Sequence, residues 1–201
     1  MICIINYGIN NIFSLKNCLD KININSKIIT KPDEVENNNK IILPGVGSFN
    51  VAMNKLSNYD WIVFLKKFAQ NKNNHLLGIC LGMQLLSSKS YEEVETNGFN
   101  LIDTEVKKLS DMNCKNKLPH VGWNSLNLKN KSKLFKDIPN GIDFYFVHSY
   151  AMMDNKFVTA EFNYGNNYVA AVQRENVYGV QFHPEKSADG GKIVLKNFND
   201  L

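Results

Sequence analysis

The sequence predicts an α/β fold, with a central, mostly parallel sheet flanked by helices and antiparallel strands added in the C-terminal half. Three observations carry this. Short apolar runs alternate with helical patterns through about the first 90 residues, the arrangement that codes for a doubly wound parallel sheet. One of these runs, Leu76-Leu77-Gly78-Ile79-Cys80, ends on a cysteine boxed by Gly78 and Gly82 and leads straight into a second apolar pattern. Beyond it the character changes to short alternating segments separated by Asn- and Gly-rich turns. With 201 residues and 44% hydrophobic content, the chain has enough apolar side chains to build a substantial core, and one domain spanning residues 1–201 is expected.

Taken in order, Ile2–Ile5 is the first strand. Ile12, Leu15, Cys18 and Leu19 recur at helical spacing behind Asn10 or Asn11 as N-cap. Ser26–Thr30 is a second strand, and Pro32-Asp33-Glu34-Val35 reads as a helix start with proline in the first turn. The run Asn37-Asn38-Asn39 is a loop. Lys40–Leu43 is a third strand, running into the turn Pro44-Gly45-Val46-Gly47-Ser48-Phe49. Met53 through Phe68 is helical in pattern. Strands are then expected at Phe144–Val147, Tyr168–Val172 and Tyr178–Phe182, with a closing helix from Gly191 through Phe198.

Charge and cysteine usage narrow the function. The net charge of +4 is dispersed, and the one dense lysine cluster, between Asn127 and Lys136, reads as a solvated basic face, so no nucleic-acid partner is expected. The apolar start stops at Asn6-Tyr7-Gly8, too short for a signal peptide or a membrane span. The four cysteines, Cys3, Cys18, Cys80 and Cys114, show no metal-ligand spacing, and reduced thiols in a cytoplasm are expected.

Chemistry concentrates at three places. A strand, a sharp turn and a helix around Cys80 resemble a nucleophile elbow, which lifts the sulfur to the carboxyl end of the sheet over a helix amino terminus and favours the thiolate. A cysteine nucleophile needs a base, and the base needs an orienting group. In Gln181-Phe182-His183-Pro184-Glu185, proline fixes the chain so that His183 and Glu185 project to the same side, with the carboxylate in reach of the imidazole. The glycine-rich turn at Val46–Gly47 is positioned to present backbone N–H groups to an anion.

Gly-Ile-Cys-Leu-Gly-Met-Gln around Cys80, Gly-Val-Gln-Phe-His-Pro-Glu near the C-terminus and Pro44-Gly45-Val46-Gly47 together resemble the class I, triad-type glutamine amidotransferases. Within that family, Leu118-Pro119-His120-Val121-Gly122-Trp123-Asn124 and Tyr145-Phe146-Val147-His148-Ser149-Tyr150 are similar to the glutaminase subunits of imidazole glycerol phosphate synthases of histidine biosynthesis. The resemblance spans nearly the whole chain and implies the flavodoxin-like amidotransferase fold. It implies that Cys80 attacks the carboxamide of glutamine, that His183 moves the proton and that Glu185 orients His183. It further implies an oxyanion hole from the N–H groups of Leu81 and of the Val46–Gly47 turn, and substrate contacts from Gly47, Gln84, Glu92, His148, Ser149 and Tyr150. A face of Pro119, Trp123, Asn124, Tyr145 and Lys186 would dock on a (β/α)8-barrel synthase subunit that receives the ammonia, forming a heterodimer. Neither metal nor organic cofactor is implied.

The match departs at Asn6 and Asn10, where the family shows an aspartate and a glycine, and at Val121, where it shows methionine. Ser48-Phe49 resembles a branch whose partners deliver ammonia to a nucleotide sugar or surface-polysaccharide intermediate, so the acceptor stays open between the two. A silent regulatory module would be expected to lack Cys80. A stand-alone cysteine hydrolase would not need Gln84 or the Pro119–Asn124 segment.

Overall fold

The computed structural model describes residues 1–9 and 11–201; Asn10, one of the two candidate caps of the first helix, lies outside the described residues. The chain runs β1 (Ile2–Ile5), α1 (Ile12–Lys21), β2 (Ser26–Ile29), β3 (Lys40–Gly45), α2 (Phe49–Ser57), α3 (Trp61–Gln70), β4 (His75–Cys80) and α4 (Leu81–Leu85). It continues through β5 (Lys89–Ser90), β6 (Thr96–Asn97), β7 (Glu105–Lys108), β8 (His120–Leu128), β9 (Asp143–His148) and β10 (Tyr150–Met152). It ends with β11 (Val158–Asn163), β12 (Asn167–Arg174), β13 (Val177–Val180) and α5 (Ala188–Asn199).

Nine strands form one sheet in the order β2-β1-β3-β4-β13-β12-β11-β8-β9. The first five are parallel, and β12, β11, β8 and β9 extend the sheet antiparallel. All four residues of β1 are buried, as expected of a strand with both faces covered. Their alternation splits the core. Ile2 and Ile4 pack with Leu15 and Leu19 of α1 and Val194 and Phe198 of α5. Cys3 and Ile5 pack on the other face with Leu56 of α2 and Trp61 and Leu65 of α3. A helix layer thus covers each face, and Cys80 ends β4, which lies between β3 and β13 in the parallel block.

Four expectations need correction. The helix start at Pro32 is only a 3-10 turn, Pro32–Val35, which ends where Glu36 takes φ +52° and the asparagine run supplies no apolar periodicity to continue it. The helical pattern over Met53–Phe68 is two helices, α2 and α3, broken by Asn58-Tyr59-Asp60 with Asp60 at φ +59°. Strand β3 runs on through Pro44 and Gly45, paired to Ile79 and Cys80; the ladder to β1 stops at Ile42, so Pro44 removes no bond there. Strand β13 is not an antiparallel addition, because it inserts parallel against β4. A second, four-stranded sheet, β10-β7-β5-β6, went unread, its strands being only two to four residues long.

Among the described residues no helix is long and apolar enough to cross a membrane, and no group of three metal-binding side chains is assembled.

Candidate active site

The site is built where β4 stops. Cys80 has φ +54° and ψ −112°, a backbone conformation that an L-residue adopts only under strain. Close packing around the turn enforces it. A Cβ on Gly82 would lie 1.7 Å from the Leu43 carbonyl oxygen, and one on Gly78 would lie 2.5 Å from the Gly82 oxygen. Neither position tolerates a side chain, and the chain must leave β4 by the sharp turn that exposes the Cys80 sulfur to a cavity. The helix that follows, α4, has only five residues.

Strand β13 lies beside β4, so the segment after it arrives next to Cys80. There the 3-10 turn Pro184–Lys186 folds Glu185 back, and His183 Nδ1–H donates to Glu185 Oε1 at 2.9 Å, with both side chains almost fully buried. Burial works against a charged imidazole, but interactions with Cys80 and with Glu185 outweigh it and push the His183 pKa up to about 10. His183 Nε2 makes no well-aligned hydrogen bond among the described residues; the neighbour that bears on it most is the Cys80 sulfur. Nucleophile, base and orienting acid, foreseen from residues a hundred positions apart, are therefore together.

A cavity of about 360 Å³ opens beside the sulfur, lined by Val46, Gly47, Cys80, Leu81, Gln84, Glu92, Pro119, Val147, His148, Ser149 and Tyr150. All six expected substrate contacts reach it. Glu92 has a structural task as well: its Oε2 accepts from the Phe49 N–H, the first residue of α2, at 2.8 Å, and burial raises its pKa. His148 Nδ1–H donates to the Tyr150 carbonyl at 2.8 Å, and its Nε2 faces His120 Nδ1 at 3.2 Å. Burial holds the His148 pKa down at about 3, with the neighbouring His120 and His183 adding to the effect. His120 Nε2 in turn meets Asn124 Oδ1 at 2.6 Å. A depression of the same volume, between Lys66, Phe99, Arg174 and Asn176, sits at the opposite end of the sheet and holds none of this chemistry.

The turn at Val46–Gly47 departs from the expected oxyanion geometry. Val46 N–H donates to the Ile9 carbonyl at 3.3 Å and is committed away from the cavity. Leu81 follows Cys80 as the first residue of α4, where no helical turn supplies a partner for its N–H. Of the remaining predicted residues, Trp123, Tyr145 and Lys186 gather at one surface, whereas Asn124 points to the other side of β8, where it bonds His120 and the Asn163 carbonyl. Trp123 is 51% exposed and meets Tyr145 edge-on at 5.9 Å between ring centroids. Lys186 Nζ lies 5.7 Å from the Tyr145 centroid. Val121 is 55% and Val46 38% exposed, while Pro119 lines the cavity.

Sequence reasoning missed two neighbours of the sulfur. The Tyr7 hydroxyl is buried beside Gly45 with no hydrogen-bond partner among the described residues; burial, and then the charge on Cys80, push its pKa up. Gln181 donates from Nε2 to Cys80 Sγ at 3.7 Å. The signal for Gln181 was its place two residues before His183, although the chain bends at Gln181 and Phe182 and so does not alternate as a strand would.

The family described as glutamine amidotransferase class-I matches residues 3–200. The chain belongs to the class I glutamine amidotransferases. It is 41% identical over 202 residues to the imidazole glycerol phosphate synthase subunit HisH of Moorella thermoacetica, covering all of this chain and 94% of that protein. It is 40% identical to the subunit of the same name from Escherichia coli, covering all of this chain and 99% of that one. Among solved structures, this amidotransferase superposes on a crystal structure of a glutamine amidotransferase with TM-score 0.76 at 16% identity, covering 98% of this chain and 99% of that one. For the structure of PurLQS from Thermotoga maritima the values are 0.75 and 18%, covering 99% of this chain and 97% of that one. At those identities the likeness shows the fold alone.

Proposed function

We propose that this amidotransferase is a glutaminase subunit that hydrolyses glutamine and passes the ammonia to a (β/α)8-barrel synthase partner for imidazole glycerol phosphate formation in histidine biosynthesis. The observation that carries the chemistry is the meeting of Cys80 with the His183–Glu185 pair beside a cavity of about 360 Å³. The full-length relatives named as synthase subunits favour the histidine pathway over a surface-sugar acceptor.

In this reading His183 holds the proton released by Cys80, and the thiolate Sγ attacks the glutamine carboxamide. The tetrahedral intermediate collapses as His183 returns that proton to the departing ammonia, leaving a thioester that water hydrolyses to glutamate. Glu185 holds Nδ1–H, so that Nε2 is the nitrogen that exchanges protons, and it stabilises the imidazolium. Gln84, Glu92, Ser149 and Tyr150 line the cavity that takes the substrate. Leu81 N–H contributes one oxyanion donor. The second, from Val46, is tied to the Ile9 carbonyl and has to turn inward, so the isolated chain is slow and docking accelerates it. The area around the exposed Trp123 and Val121, with Tyr145 and Lys186 beside them and Pro119 in the cavity lining, is the surface for that partner.

Glutamate and ammonia release by the purified chain, alone and with candidate barrel subunits from the same genome, tests this directly. Partner-stimulated release that vanishes in Cys80→Ala is expected. Equal rates with and without the partner would remove the turning of Val46, and stimulation only by a barrel from a sugar-modification locus would move the acceptor to surface glycans. Absence of Cys80-dependent release with any partner would end the glutaminase reading.

A further inference from the structure

Gln181 occupies a position where a polar side chain needs a reason. It is completely buried, its backbone N–H is used by the Ala170 carbonyl, and burying an amide without hydrogen bonds is costly. Its side chain meets two groups: Gln84 Nε2 donates to its Oε1 at 3.0 Å, and its own Nε2 lies 3.7 Å from Cys80 Sγ.

Which end of each amide faces which neighbour follows from one fixed point. The Tyr150 carbonyl can only accept, and Gln84 Nε2 donates to it at 2.8 Å. That sets the Gln84 amide with its nitrogen inward. Gln181 has to present its oxygen to that nitrogen, which leaves its NH2 directed at the sulfur. Flipping Gln181 would set nitrogen against nitrogen, and flipping both would set the Gln84 oxygen against the Tyr150 oxygen. The Tyr150 carbonyl is itself held by His148 Nδ1–H at 2.8 Å, so the row is anchored at its far end.

The sulfur thus lies between groups that prefer opposite protonation states. The Val147 carbonyl, 3.9 Å away, accepts from a thiol S–H. The Gln181 N–H donates best to a thiolate, since a hydrogen bond to the charged form favours that form. From this geometry we infer that Gln181 is a further positioning residue of the site, holding the Cys80 sulfur as a thiolate through an N–H whose direction is dictated, by way of Gln84, by the Tyr150 carbonyl. The inference rests on Cys80 being the reacting sulfur but not on glutamine being the substrate.

Alkylation by iodoacetamide reads the thiolate without requiring turnover. Modification is followed by peptide mass spectrometry at Cys80, separately from Cys3, Cys18 and Cys114, across a pH series in the full chain. Gln181→Leu keeps the bulk and removes the N–H, and at pH 7 it should slow Cys80 alkylation about tenfold, the size of a hydrogen bond to a charged group. The gap should narrow in alkaline solution, where hydroxide removes the thiol proton without help from Gln181. Gln181→Glu keeps the length and the acceptor for Gln84 but replaces the N–H with a negative charge, so it should slow the reaction further. It also carries the test by itself if the leucine variant does not fold. Equal rates at every pH, or a gap that stays constant with pH, would overturn the inference, the second because it reports altered access to the sulfur. Normal Cys80 ionisation in a chain that ignores glutamine would refute the glutaminase reading and leave this one standing.

Discussion

The His183–Glu185 contact shows how one carboxylate decides what an imidazole does. Buried imidazoles ordinarily lose their affinity for a proton, as His148 does. His183, equally enclosed, moves the other way because Glu185 Oε1 accepts its Nδ1–H at 2.9 Å and Cys80 lies on its other side. Glu185 is absent from the lining of the substrate cavity. Glu185→Gln is therefore expected to lower kcat by about 10²- to 10⁴-fold, in the range seen when a triad acid loses its charge, with KM for glutamine little changed. Steady-state glutaminase kinetics in the presence of the partner measure this; a change confined to KM would place Glu185 among the binding groups instead. His183 and Glu185 were legible as a pair from the intervening proline. The commitment of the Val46 N–H to Ile9 was not, since nothing in a glycine-rich turn reveals which way its peptides point.

Between β4 and α4 the backbone itself stores strain. Cys80 keeps φ +54° and ψ −112° because Gly78 and Gly82 bring the turn within contact of Gly82 and Leu43 carbonyls. A strained non-glycine residue costs about 1–3 kcal/mol, of which glycine recovers most while losing up to about 1 kcal/mol through its freer unfolded chain. Both Cys80→Gly and Cys80→Ala remove the sulfur, but the glycine variant should be the more stable by about 1 kcal/mol in urea unfolding. An alanine variant equal or superior in stability would show that the turn is relaxed. The start of α2 is a misread boundary with a different cause. Ser48 starts a helix at Phe49 rather than near Met53, because the N-terminal N–H of α2 finds Glu92 from a distant loop, a partner invisible to local pattern. The short strands β5, β6 and β10 were unreadable for a related reason: two or three residues carry no periodicity, and their pairing is supplied by neighbours in space.

Over the whole molecule, stability should depend on pH through buried histidines. The folded chain holds His148 neutral down to about pH 3, and burial lowers the pKa of His120 and His75 as well. Unfolded, each takes up a proton near pH 6.5, so the unfolded state binds more protons in that window and stability falls as the pH drops from about 6.5 towards 3. His183 has the opposite sign: its raised pKa lends stability that is complete below pH 6.5 and disappears as the pH rises through about 10. His148→Gln retains a donor for the Tyr150 carbonyl and does not titrate. It should flatten the acid limb by about 1.4 kcal/mol per pH unit, measured as urea-unfolding free energy between pH 6 and pH 4. Parallel limbs in the two proteins would show that His148 gains its proton without unfolding.

Local chemistry alone determined the strand–turn–helix around Cys80, the alternation that makes the sheet parallel, and the pairing of His183 with Glu185. Each depends on residues within a few positions of one another, where periodicity, glycine and proline act directly on the backbone. Only the tertiary structure decided that β13 inserts beside β4, which carries Gln181 and His183 to a sulfur about a hundred residues earlier in the chain. It alone decided that the Val46 N–H is held by Ile9 and that a row of amides from the Tyr150 carbonyl aims a donor at Cys80. Those outcomes depend on strand order and on which way buried donors must point once every carbonyl is satisfied, and neither is encoded in any single stretch of sequence.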